Sequence, residues 1–447
     1  MKNLGARGYD GTLADLPFLL LLLATSMASG RAHAGTVCAG PERLCASTHA
    51  NTSARPASSR LAFVRGDGVT LGAAAIVAAA DPEIQPKRPA AAQPAAMQAA
   101  EPGLPADPSA PDTRITLLLP LRSPTLVAAA DAVRAGFMAG AERDGAGFKV
   151  EIVSTGDAAA DVLAAYARAA AGSDIVVGPL SRSAATALAD SAGVTKPTVL
   201  LSVPETRKPL PRLLLVAGLS VEDEARQVAD WAAREHPHGR VLILTGGAAW
   251  AQRAAGAFEA RWNQLGHTGG RVALPAAGAP DAQAAVGELK QRLDIDPPDL
   301  LFAALDASEL SVVRRQLDAA GAPSIPCYGG GAANPGRVAA GASELDGMRV
   351  LDLPWIVAPD HPAVMPYPRP LDTEQPLDMD RLYALGIDAF RVARAMALHP
   401  DAPFAIDGVT GRLTVSVDAE TRQLRLERRE AAATVRGGGF ERVDGGP

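Results

Sequence analysis

The stretch ITLLLPLRSPTLVAAADAVRAGFMAGAERDGAGFKVEIVS, residues 115–154, decides the fold. It begins with an apolar run that ends at Pro120. Leu126, Ala130, Val133 and Phe137 then recur at spacings of four, three and four, the period of one helix face. FKVEIVS (148–154) follows as a second short strand. Strand, helix, strand within forty residues is a βα unit, and such units close into parallel sheets covered by helices.

The same grammar continues outward. A helix carrying Val162 and Tyr166, DIVVGPL (174–180), a helix with Ala184 and Leu188, TVLLSVP (198–204) and LLLVAG (213–218) complete one series. Strands apolar at successive positions are buried on both faces, as a sheet between helix layers requires. A second series opens at Ser220, which with Asp223 resembles a helix cap. It runs through RVLILTGG (240–247), a helix with Phe258 and Trp262, RVALP (271–275), DLLFAAL (299–305) and a helix ending near Gly321. IPCYGG (325–330) is expected as its last strand, after which GMRVLDLPW (347–355) returns toward the first series. A helix from about Met379 to Leu398 packs there, and RLTVSVD (412–418) with RQLRLERRE (422–430) reads as an antiparallel hairpin.

The fold class expected is therefore α/β, two lobes with parallel sheets flanked by helices, preceded by a disordered N-terminal region. The chain has 447 residues, more than one core comfortably supports, so two lobes fit its length. Lobe one is expected over about 113–218 plus about 355–404, and lobe two over about 219–354 plus about 405–437, with 438–447 a disordered tail.

Residues 16–28 (LPFLLLLLATSMA) have signal-peptide length, and Ala32-His33-Ala34 fits a cleavage site, so 1–34 is expected to be an export signal. A second apolar run, 69–80, follows Arg55, Arg60 and Arg65 and would take that role if translation began at Met27. Neither Cys38, after Gly35-Thr36-Val37, nor Cys45, after Glu42-Arg43-Leu44, sits in a lipidation box, so no lipid anchor is expected. Residues 81–112 hold eight prolines and almost no large apolar side chains, so 35–112 is expected as disordered leader and linker. No apolar run reaches the roughly 18 to 20 residues of a bilayer-spanning helix. The net charge of −6, with cations spread along the chain, gives no nucleic-acid footprint.

The chemistry expected is binding rather than catalysis. No GxSxG elbow, HExxH pair or Ser/His/Asp order stands at strand ends, and no cofactor or metal motif is present. His236-Pro237-His238 reads as a solvated helix end, Cys327 as a small core residue, and Asp352 and Asp388 as isolated carboxylates. A small ligand would lie at the C-terminal ends of the parallel strands. Ser123, Ser181, Ser202, Thr245 and Tyr328 are the candidates there, and helix capping is the competing explanation for the hydroxyls.

The ordered phrases ITLLLPLRSP (115–124), AVRAGFMAG (132–140), DIVVGPLSRSAATAL (174–188), LSVEDEARQVADWA (219–232), AFEARWNQLG (257–266), LDGMRVLDLPWIV (345–357), RLYALGIDAFRVA (381–393) and IDGVTGRLTVS (406–416) resemble the C-terminal domain of the penicillin-binding protein activator family. These are the LppC/LpoA-type lipoproteins. The resemblance covers roughly 113–437 and implies a type I periplasmic-binding-protein fold. It further implies a periplasmic, outer-membrane-associated regulator whose partner is a class A penicillin-binding protein and whose effect is on peptidoglycan synthesis. A periplasmic solute-binding protein for amino acids or a small peptidoglycan-derived ligand shares the fold and stays open as the alternative.

Overall fold

The computed structural model describes residues 112–336, 343–369, 376–400, 402–443 and 446. The expected signal, the linker and both leader cysteines lie outside this range. The first lobe is built from β1 (Thr113–Leu119), α1 (Val127–Asp144), β2 (Phe148–Ser154), α2 (Ala159–Gly172), β3 (Ile175–Val177), α3 (Arg182–Asp190), β4 (Thr198–Leu200) and β5 (Leu214–Val216). The five strands form one parallel sheet in the order β2-β1-β3-β4-β5. Ile115, Leu117, Leu118 and Leu119 are all fully buried, because from Ile115 onward the strand has both faces covered; only its first two residues, Thr113 and Arg114, reach solvent.

The second lobe follows: α4 (Val221–Glu235), β6 (Val241–Thr245), α5 (Ala249–Gln264), β7 (Gly269–Ala273), α6 (Ala282–Ile295), β8 (Leu300–Ala304), α7 (Ala307–Ala319), β9 (Cys327–Gly329) and β10 (Arg349–Asp352). Ser220 caps α4 through the Asp223 amide, and Asp306 with Glu309 forms a reciprocal capping box at α7. Gly321, just past α7, has φ +68, the left-handed turn that ends a helix without a Cβ penalty. Cys327 is 3% exposed, and burial pushes its thiol up to about 11, as expected of a core residue.

The C-terminal quarter differs from expectation. β9 is not the last strand of its sheet, and β10 does not return toward the first lobe. It pairs in parallel with β9, and the second sheet runs β15-β14-β10-β9-β8-β6-β7. After β10 come α8 (Pro354–Val357) and α9 (Leu377–Leu398). A three-stranded antiparallel sheet follows, of β11 (Phe404–Asp407), β12 (Arg412–Val417) and β13 (Leu424–Arg429). Leu413 and Val415 of β12 join the core of the first lobe, so 405–429 belongs with that lobe and not with the second. Only β14 (Ala431–Arg436) and β15 (Gly439–Arg442) enter the second sheet. The expected C-terminal tail is therefore partly a strand: β15 pairs with β14 because β14 would otherwise leave a row of backbone groups unpaired.

The α1–α9 contact holds the first lobe together. A Cβ on Gly136 would lie 1.8 Å from the Tyr383 carbonyl oxygen, and one on Gly386 would lie 2.2 Å from that of Val133. The two helices thus meet backbone to backbone, with the Phe137 and Phe390 rings edge to face 5.3 Å apart beside the contact.

Candidate functional site

The chain passes between lobes after β5, between β10 and α9, and between β13 and β14. Each crossing is held by polar contacts. Arg428 donates to the carbonyls of Ala217 (2.6 Å) and Gly218 (3.1 Å), tying the third crossing to the first. The Trp355 amide donates to the Val409 carbonyl at 2.9 Å. The Glu430 amide donates to Gln227 Oε1 at 3.0 Å.

Beside these crossings lies a cavity of about 610 Å³. Its walls come from the start of α4, the turns after β6, β8 and β9, the end of β10 and the start of α9. It therefore sits at the C-terminal ends of the second lobe's parallel strands, where open α/β sheets bind ligands. Its lining mixes Leu219, Val221, Trp250, Leu377 and Leu382 with Glu224, Asp306, Asp352, Asp378, Arg381 and Glu430.

Arg381 is the centre of the ionic network. Its Nε donates to Asp352 Oδ1 (3.1 Å) and one terminal nitrogen to Asp352 Oδ2 (2.6 Å) and the Gly331 carbonyl (2.7 Å). Its other terminal nitrogen donates to Asp378 at 2.9 Å. Asn334 Nδ2 donates to Asp352 Oδ2 at 2.7 Å, and the Leu353 amide to Asp352 Oδ1 at 2.7 Å. Burial opposes the charge on Arg381, but Asp352 more than offsets it, so the guanidinium is held more firmly protonated than usual.

Two further carboxyls crowd the same space. Glu224 accepts the Gly331 amide; burial, then the Asp352 charge, push its pKa up to about 7. Glu430 is raised well above the ordinary carboxylate range by burial first and Glu224 second. Its Oε2 is buried and has no hydrogen-bond partner.

A larger concavity of about 1240 Å³ lies between α4, α5 and the β12–β13 strands. Three ion pairs lie in it, Arg226 with Asp223, Arg261 with Asp230 and Arg429 with Glu427. Solvated, satisfied pairs are an ordinary protein surface. Glu430 lines both concavities, but the Arg381 network with Asp352 and Glu224 lines only the smaller one, which is the candidate site.

None of the five residues singled out by sequence lines either cavity. Ser123 Oγ accepts the Leu126 amide at 3.0 Å in the turn that leads into α1, and Ser181 Oγ caps α3 by accepting the Ala184 amide at 3.3 Å. Ser202 is half-buried against Gly218, whose missing side chain would meet it at 2.6 Å. Thr245 Oγ1 donates to the neighbouring Gly246 carbonyl at 3.2 Å. Tyr328 points to the end of α4, donating to Glu235 Oε2 at 2.5 Å and lying 3.0 Å from His236 Nε2. The structure thus scatters them; helix capping accounts for the Ser181 hydroxyl and a turn bond for that of Ser123. Glu224, Asp352, Arg381 and Glu430 were not legible as a site, because 206 positions separate the first from the last.

Asp352 and Asp388 are not isolated either. Asp388 accepts the amides of Val409 (3.1 Å) and Thr410 (2.7 Å) and the Thr410 hydroxyl (2.6 Å). It thereby joins the ALGIDAF helix to the DG-x-TG turn. Gly408 and Gly411 are required there: a Cβ would strike Asp388 Oδ2 at 2.5 Å and the Arg429 carbonyl at 2.3 Å, respectively. Gly178 of the GPL turn, at φ +115, lies against the Leu118 carbonyl, which a Cβ would approach to 2.1 Å. Pro354 opens α8 and Trp355 is fully buried against Tyr383. The GPL, PW, ALGIDAF and DG-x-TG pieces of the family phrases are thus parts of the architecture.

The family profile described as "LppC putative lipoprotein" matches residues 83–429. Among solved structures, a "putative branched-chain amino acid ABC transporter" from Chromobacterium violaceum is 32% identical, covering 72% of this chain and all of that one, with TM-score 0.59. The C-domain of LpoA from Haemophilus influenzae, described as a regulator of PBP1A, is 22% identical over 74% of this chain and all of that domain, with TM-score 0.59. Full-length LpoA from the same organism is 23% identical over 74% of this chain, but the chain spans only 59% of its length. No curated protein matches the chain. No helix among the described residues is long and apolar enough to cross a membrane. The fold is the two-lobed periplasmic-binding-protein type, and the match across 83–429 places the chain in the LppC putative lipoprotein family.

Proposed function

We propose that this chain is a non-catalytic protein of the bacterial envelope that binds a class A penicillin-binding protein and stimulates its peptidoglycan synthesis. The carrying observation is the continuous family match over residues 83–429. It is supported by the likeness, over its whole length, to the LpoA C-domain, itself described as a regulator of PBP1A. Export to the periplasm belongs to the same proposal. The test is glycan polymerisation and crosslinking by the cognate synthase with and without the purified full chain. A rate increase with direct binding is the expected result, and neither binding nor rate change refutes the reading.

A second reading has one observation in its favour, the 32% identity to a protein described as a "putative branched-chain amino acid ABC transporter". On this reading the inter-lobe cleft takes an amino acid. Three of the hydroxyls expected to bind its carboxylate have local partners: Ser123 in the turn before α1, Ser181 at the α3 cap, Thr245 at a backbone carbonyl. Amino acids that raise Tm by the amount expected of a saturating ligand would favour it; a flat screen across amino acids and muropeptides would remove it.

A further inference from the structure

The cavity beside the crossings carries more negative charge than its own partners satisfy. Five carboxyls line it, those of Glu224, Asp306, Asp352, Asp378 and Glu430, against the single guanidinium of Arg381. Four have internal partners. Asp306 accepts the amides of Ser308 and Glu309, Asp352 and Asp378 share Arg381, and Glu224 accepts the Gly331 amide. Glu430 is left over, with Oε2 buried and no donor within reach. Arg428 stands next to it in the chain, but its guanidinium is spent on the Ala217 and Gly218 carbonyls and on Thr410 Oγ1. A buried carboxyl with no donor is costly as an anion, and it has two remedies: hold a proton, or receive a cation from outside.

We infer that this cavity is a binding site for an organic ammonium ion, whose charge pairs with the Glu430 carboxylate while its hydrocarbon lies along Trp250 and the leucines of the wall. Three features select this chemistry. No group of three or more His, Cys, Asp or Glu that could hold a metal ion occurs among the described residues, so Glu430 and Glu224 do not make a metal cage. The wall beside the acids is apolar, formed by Leu219, Trp250, Leu377 and Leu382, and an indole attracts alkylammonium ions. The volume of about 610 Å³ lies within the range of small-molecule pockets, roughly 300 to 1,000 Å³. An α-amino acid is a poorer fit, because its carboxylate would find Arg381 already held by Asp352, Asp378 and the Gly331 carbonyl.

Binding then exchanges one cation for another. The Glu430 carboxylic acid gives its proton to solvent, and the carboxylate accepts hydrogen bonds from the incoming ammonium group. Glu224 from α4, Asp352 from β10, Arg381 from α9 and Arg428 from β13 are the charged groups that face this exchange. Burial, then the Glu224 charge, raise the Glu430 carboxyl well above the ordinary carboxylate range, so binding of a cation is coupled to release of its proton.

The test uses the full chain with n-hexylamine as probe, and 1-hexanol, hexanoate and magnesium chloride as controls. At a hundredfold excess over Kd the amine is expected to raise Tm by about 5 °C. The controls should leave it unchanged. Glu430→Gln, nearly isosteric, should abolish the amine response. In the unaltered protein, calorimetry in two buffers of different ionisation enthalpy should show proton release on binding, and Kd should fall as pH rises above the ordinary carboxylate range. No amine response, a response retained in Glu430→Gln, an equal response to 1-hexanol or magnesium, or binding without proton release would each overturn the inference. The site stands independently of the synthase reading. Stimulation of a synthase is assayed without amine, so either result can fail alone.

Discussion

Replacing Arg381 by Met should be among the most damaging single changes in the second lobe. The side chain of Arg381 is 13% exposed and that of Asp352 only 2%, so the pair lies in a low-dielectric setting. Methionine keeps the length and removes the charge. Asp352 would keep the Asn334 and Leu353 donors but lose both prongs of the guanidinium, with Glu224 still beside it. Breaking a buried pair from one side costs about 3–5 kcal/mol, and the orphaned Gly331 carbonyl adds roughly 1 kcal/mol. Urea unfolding followed by tryptophan fluorescence reads this as a lower midpoint. The double variant Arg381→Met/Asp352→Leu should recover much of the loss, since the expense lies in the stranded charge. Arg436→Ala, breaking an exposed pair whose side chains are 69% and 62% accessible, should cost under about 1 kcal/mol. A loss below about 1 kcal/mol for Arg381→Met would refute the reasoning, because the network would then be behaving as a surface pair.

Three other outcomes follow from the same structure. Glu224 binds its proton more tightly folded than unfolded, so the native state carries more protons between about 4.5 and about 7 and stability should fall as pH rises through that window; Glu224→Gln should flatten the fall in a pH series of urea midpoints. Gly136→Ala should cost about 3 kcal/mol by forcing α1 from α9, whereas Gly256→Ala, facing open space within α5, should stabilise by about 0.5–1 kcal/mol; thermal unfolding distinguishes the two signs. Asp388→Ala leaves the buried Val409 and Thr410 amides without their acceptor and should cost roughly 3 kcal/mol, with hydrogen exchange at those amides rising first.

The parallel strands and their helices were readable because burial on both faces writes an unbroken apolar run, as in ITLLLP and DIVVGPL. Ser220 and Gly321 were readable because cap chemistry is local. The C-terminal strands were not. AAATVR, the sequence of β14, is rich in alanine and carries little strand signal; its partner β10 lies some eighty positions upstream. FAID, the sequence of β11, is too short to show a period. Assigning β12 and β13 to a lobe required knowing that Leu413 and Val415 join the first lobe's core, which no alternation pattern reveals. The site was hidden for a similar reason. Each of Glu224, Asp352, Arg381 and Glu430 is an unremarked charge in its own segment, and only the crossings bring them together. The hydroxyls after strands looked like ligand groups because helix capping and ligand binding call for the same residues in the same place.

The glycine contact between α1 and α9 also dictates the order in which the chain can fold. Gly136 and Tyr383, which touch, are about 250 positions apart, and native contacts at such separation form late. The second lobe's strands β6, β8 and β9 pair within one continuous stretch, 241–329, and can associate as soon as that stretch has been synthesised. The first lobe has its sheet early but lacks α9 and β12 until nearly the whole chain has emerged. Until then Val133 and Phe137 have only their own sheet to pack on, and the face of α1 that meets α9 is uncovered. The lobe that leaves the ribosome first is finished last, and in the interval its open α1 face is the surface most in need of a chaperone.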